Sequence, residues 1–166
     1  MLPMTRLSLI LISILHITLF IVAAHGEVSP NTQTDKYVYL RSNKVNLRAG
    51  PNFHYPIKWT ITQRGEPLKV LGKFYQWINI ETINKNKGWV QEPMISTRYT
   101  YGIVMSKKDK PLIAYAMPSS SSKKIVKLEP GVRLRVLKCD KNKWCKIRAE
   151  EFKAWLPQEN LWGINH

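Results

Sequence analysis

Val45-Asn46-Leu47-Arg48-Ala49-Gly50-Pro51 alternates apolar with polar side chains and then stops at a Gly-Pro break. Val45 and Leu47 share one face and Asn46 and Arg48 the other, the pattern of a half-buried strand. The break commits Asn52 to Pro56 to a loop carrying Phe53, His54 and Tyr55, after which Trp59 and Ile61 restart the alternation. Aromatic side chains on a loop that a sheet holds rigid make a ready binding surface. Packing of the same rings beneath the sheet is the competing reading.

Outward from this stretch the chain is a series of short β-type runs. They are Tyr37 to Leu40, Val45 to Arg48, Trp59 to Thr62, Leu68 to Leu71, Gln76 to Ile80 and Trp89 to Gln91. Turn signals separate them: Gly50-Pro51, Gly65 with Pro67, Gly72, the polar run Asn84 to Gly88, and Pro93. Short strands at regular spacing, with no sustained helical period, predict a small all-β sandwich or barrel.

The second half repeats the first. Gly65 matches Gly131, Val70-Leu71 matches Val136-Leu137, Trp77 matches Trp144, Trp89 matches Trp155 and Pro51 matches Pro118, all at an offset of 66 or 67 residues. One offset joining five landmarks marks an internal duplication. The first copy is expected over residues 40–98 and the second over 101–164, with 27–39 as a linker or N-terminal arm. A copy of this length is near the lower limit for folding alone, and the short connection from Ser96 to Tyr101 holds no Gly/Ser-rich spacer, so the copies are expected to pack together. They are not equal. Where the first has Leu47-Arg48-Ala49-Gly50 the second has Ala114-Tyr115-Ala116-Met117, followed by a serine-rich loop without aromatics.

Asn46-Leu47-Arg48-Ala49-Gly50-Pro51, followed at the proper distance by Gly88-Trp89-Val90, resembles the opening and closing signatures of a bacterial SH3-like domain. The resemblance implies two tandem, small, partly open β-barrels of five or six strands each. It further implies a non-catalytic module that exported bacterial proteins use to bind cell wall or peptide, with no cofactor.

Composition bounds the rest. The chain has 166 residues, enough for one ordinary domain or two very small ones. Lys and Arg number 26 against 11 Asp and Glu, a net +15, which bears on partners and not on fold. Residues 1–26 read as a signal peptide: Arg6, an apolar run from Leu7 to Val22, and small residues at Val22-Ala23-Ala24 or Ala24-His25-Gly26 for cleavage. An uncleaved inner-membrane anchor over residues 7–24 is the alternative, because the run nears the length that spans a bilayer. The exported part, periplasmic or secreted, keeps enough positive charge to concentrate at anionic envelope polymers. Export and the lack of a recognition motif count against nucleic acid.

Cys139 and Cys145 flank a polar turn between two strand runs. They are expected to pair as a disulfide confined to the second copy, at positions matching Gly72 and Ile78. Strand alternation sets Trp77 and Trp144 opposite the core-facing Ile78 and Ile147, hence outward, as a ligand platform or as the contact between copies. Trp89 and Trp155 are expected to close each barrel, and Leu161 to Ile164 to form a last strand or plug. His54 stands on a polar loop, and no paired carboxylates, nucleophile elbow, phosphate loop or metal cluster can be found.

The expected site is a shallow groove in the first copy. Tyr55, Trp59, Tyr75 and Trp77 supply apolar and stacking contacts there, and Arg48 and Lys58 supply charge to wall carboxylates. Its expected ligand is peptidoglycan or a peptide-like wall component. A protein-interaction or regulatory module without wall binding is the alternative, and an exported hydrolase using Cys139 or His54 is a third reading.

Overall fold

The computed structural model describes residues 35–165; the predicted leader and most of the arm lie outside the described residues. The arm is shorter than expected, because Tyr37–Leu40 is a strand, β1, with all four residues buried. Val38 and Leu40 enter the first core, while Tyr37 and Tyr39 on the opposite face meet the second copy. The run Tyr37 to Leu40 read from the sequence is a strand over its whole length and belongs to the first module's sheet, not to the arm.

The first module continues with β2 (Val45–Arg48), β3 (Ile57–Ile61), β4 (Pro67–Phe74), β5 (Trp77–Glu81), β6 (Lys87–Gln91), a 3-10 turn over Glu92–Met94 and β7 (Ile95–Ser96). All pairings are antiparallel, in the order β3-β2-β6-β5-β4-β1-β7. The sheet curls so that Val38, Val45, Leu47, Leu68, Ile78, Ile80 and Val90 from five strands converge on one core. This is the expected open barrel, with a two-residue seventh strand that the sequence reading did not include.

The second module is built the same way. Its strands are β8 (Thr100–Val104), β9 (Leu112–Tyr115), β10 (Lys124–Leu128), β11 (Arg133–Cys139), β12 (Trp144–Ala149), β13 (Phe152–Pro157) and β14 (Leu161–Trp162), and a 3-10 turn over Gln158–Asn160 precedes the last. The order β10-β9-β13-β12-β11-β8-β14 copies that of the first sheet strand for strand. Even irregularities recur: register slips between Val70 and Gly72 in one and between Val136 and Lys138 in the other. Gly65 and Gly131 both take positive φ, and their N–H groups donate to Leu40 O and Val104 O.

The two modules form one compact unit. At their junction the Tyr39 hydroxyl donates to Gly163 O at 3.1 Å. Asn165 brackets the Tyr37 backbone, accepting from its N–H at 2.7 Å and donating to its carbonyl at 3.3 Å. Trp162 meets the Tyr37 ring edge-on, and buried Glu66 pairs with Arg133 of the second module. Trp162 therefore belongs to a last strand that also serves the module contact.

Candidate functional site

Both signature motifs lie side by side, on β2 and β6. Leu47 is fully buried, and the Asn46 side chain accepts a hydrogen bond from its cross-strand partner Thr60 at 3.0 Å. Arg48 faces away from the core and clamps the loop after it: Nη1 donates to Phe53 O at 2.9 Å and to Tyr55 O at 2.8 Å. At Gly50 a Cβ would come within 2.6 Å of the Tyr55 ring, so only glycine lets that ring close over the turn. Gly88 plays a similar part in the other motif, where a Cβ would lie 3.0 Å from Arg48 O and 3.1 Å from the Leu47 side chain. Leu47 thus serves the core, Arg48 the clamp, and Gly50 and Gly88 close approaches.

The clamp presents Phe53 edge-on to Trp77, with ring centroids 5.2 Å apart. Trp77 does lie opposite Ile78, as alternation requires, but it is only 9% exposed; the outward platform expected from the strand pattern is roofed by the loop. Around this pair is a cavity of about 240 Å³ whose wall includes Lys44, Asn46, Arg48, Gln91 and Met94. Aromatic and thioether surface, two amides and two cations face it, and no carboxylate does.

The predicted site residues are not gathered in one groove. Arg48 and Trp77 share the cavity just described. Trp59, 48% exposed on β3, lines a different cavity of about 250 Å³ with Gln63, Thr82, Asn84 and Asn86. Tyr75, 81% exposed, stands at the tip of the β4–β5 hairpin against Phe74 and lines neither cavity. Tyr55 is half exposed over Gly50, and Lys58 is exposed on β3. Lys44, Phe53, Gln91 and Met94 were missed as site residues. The aromatic loop already pointed to Phe53; the other three come together only through the fold.

Cys139 and Cys145 form the expected disulfide, directly opposite one another on β11 and β12. The strand ladder places Cys139 at the position of Lys73, not Gly72, because the offset stays at 66 through this strand and the extra residue of the second copy lies in its turn, residues 141–143 against Tyr75-Gln76. His54 is held by Asn52, its ring Nδ1 2.8 Å from the Asn52 side-chain oxygen. Among the described residues no three His, Cys, Asp or Glu side chains cluster as metal ligands.

The family model for the bacterial SH3 domain matches twice, over residues 41–97 and 108–163. The chain belongs to the bacterial SH3 domain family. No curated protein matches it. Among solved structures it is similar to NlpC1 from Trichomonas vaginalis, at 12% identity over 80% of this chain and 47% of that one, with a TM-score of 0.36. NlpC2 from the same organism matches at 12% identity over 78% and 48%, TM-score 0.35. An NlpC/P60 family protein from Bacillus cereus matches at 15% identity over 76% and 56%, TM-score 0.33. The chain spans about half the length of these structures.

The second bacterial SH3 module shows what the first has added. Tyr115 occupies the place of Arg48, each paired across the ladder with its module's closing tryptophan. Its ring packs directly on Trp144 at 5.9 Å, so Trp77 and Trp144 both make their ring contacts within their own modules. The arginine clamp and aromatic loop belong to the first module alone.

Proposed function

We propose that the chain is a non-catalytic, exported envelope protein whose first module binds peptidoglycan or a peptide-like wall component in the cavity beside Phe53 and Trp77. The observation that carries this reading is the make-up of that cavity. Apolar rings suit a peptide stem, the Asn46 and Gln91 amides match a peptide backbone, and Lys44 and Arg48 face a free carboxylate with no acidic neighbour in the wall. Family membership supports wall-related binding in general.

The test is co-sedimentation of the protein with purified peptidoglycan at low and high salt. Binding is expected to survive high salt and to fall in Phe53→Ala and Lys44→Gln. Loss of all binding in salt, with both variants like wild type, would assign the attraction to overall charge instead.

One feature favours the alternative of a protein partner. Strand β3 is an open edge of the first sheet, with Ile57 and Trp59 both about half exposed. Such an edge accepts an added strand from another chain. A stoichiometric complex lost in Trp59→Lys, with no sedimentation on peptidoglycan, would select this reading.

A further inference from the structure

A third cavity, of about 120 Å³, lies at the module junction and plays no part in the wall reading. Buried Tyr39 and half-buried Tyr101 contribute to its wall, and Arg41, Arg64 and Arg98 converge on it from three separate segments. These are the end of β1, the turn before β4 and the connector between the modules. No carboxylate lines it. Glu66, two residues from Arg64, is already taken by Arg133. Among the described residues, the three guanidinium groups make one hydrogen bond between them, a long one of 3.5 Å from Arg41 to Pro93 O. Arg98 also lies over the Tyr99 ring, 5.3 Å from its centre.

The backbone beneath each arginine is pinned. Arg41 N–H donates to Met94 O at 2.9 Å, and Arg98 N–H donates to the Ser96 hydroxyl at 3.1 Å. Arg64 precedes Gly65, whose positive φ and N–H bond to Leu40 O fix the turn, and a Cβ at Gly65 would press within 3.0 Å of Tyr101. The fold itself does not ask for cations at the places of Arg41 and Arg64. The N–H of Met105, at the place of Arg41, makes the same bond to its own 3-10 turn, and Pro130 before Gly131 stands where Arg64 does. Three exposed arginines with no carboxylate partner around a small concavity make a local excess of positive charge that an anion would offset.

We propose that this junction cavity binds a ligand through one oxyanion group, phosphate or carboxylate, gripped by Arg41, Arg64 and Arg98. Guanidinium forks match both groups with paired, charge-assisted N–H···O bonds. The volume admits one such group with a few waters rather than a longer stretch of polymer. This site goes beyond the wall reading, and stands or falls separately from binding at the Phe53 cavity.

The test is titration of the full chain with inorganic phosphate and, separately, with acetate, followed through the arginine side-chain N–H resonances. Saturable binding that moves the Arg41, Arg64 and Arg98 signals is expected for at least one anion, and the tighter of the two names the group. Arg64→Gln and Arg98→Gln should each weaken it about tenfold, the loss of one hydrogen bond to a charged group. Lys108→Gln, which removes the same charge from an exposed loop, should leave it unchanged. Arg98→Lys should still bind, more weakly, which separates charge from fork geometry. Saturation by neither anion, or equal loss in Lys108→Gln, would overturn the proposal.

Discussion

At the scale of single residues, the split between Trp77 and Phe53 decides how the candidate site can be probed. Trp77 is buried, so Trp77→Ala should cost about 3–5 kcal/mol of stability, as large buried aromatics do. Phe53, 61% exposed, gives up chiefly its ring contact, and Phe53→Ala should cost only about 1 kcal/mol. Urea titration of both variants checks this; equal losses would mean that the loop is part of the core. Strand alternation identified the face of Trp77 correctly and its exposure wrongly. Period-two patterning says which side of a sheet a residue takes, but whether a loop returns over that side depends on a clamp between Arg48 and two carbonyl oxygens. Nothing in side-chain polarity encodes a bond to backbone oxygens. For the same reason Lys44 and Met94, far apart in sequence, could not be placed beside Phe53 beforehand.

At the scale of elements, the duplication made the second barrel readable from the first. Glycines with positive φ, the closing tryptophans and the register slips occupy matching places in both ladders. Tyr37 to Leu40 and the last strand at Leu161 were legible, but the two-residue strand β7 was not, since so short an element carries no periodic signal. The β11–β12 hairpin is where the copies differ most chemically. Its disulfide joins residues six apart, and in the chain-entropy account a loop this small contributes about 2 kcal/mol. Cys139→Ser with Cys145→Ser should therefore lower stability by about that amount and leave the Phe53 cavity's binding unchanged. Loss of wall binding in that pair would show that the second module supports the site. At the β5–β6 hairpin, the Glu81 carboxyl is held below its usual range by its hydrogen bond to Lys85, with Lys87 adding to the pull. That contribution is present above the ordinary carboxyl pKa and is lost as pH falls through the lowered one.

At the scale of the whole molecule, the packed pair rests on tyrosines and close backbone approach. Gly163 has φ +90°, and a Cβ there would collide with the Pro67 ring in the other module. Gly163→Ala should cost about 1–3 kcal/mol through strain at that point. Burial raises the pKa of Tyr37 to about 12, with the Asp35 carboxylate adding to the shift, and burial raises Tyr39 as well. Both phenols are neutral in the packed form, whereas an unfolded tyrosine ionises near 10. The stabilisation they give is complete below pH 10 and is lost as pH rises through their folded values. The expected alkaline behaviour follows from their place at the junction. Below the raised values of Tyr37 and Tyr39 the ring contacts between modules should persist. Ionisation of Tyr37 and Tyr39 then coincides with loss of the junction, read by ultraviolet titration of tyrosinate alongside near-ultraviolet circular dichroism. Tyr39→Phe removes one ionising group and the bond to Gly163 O, so its late ultraviolet step should shrink. A junction signal that fades before the late ultraviolet step would mean that these two rings do not hold the modules together.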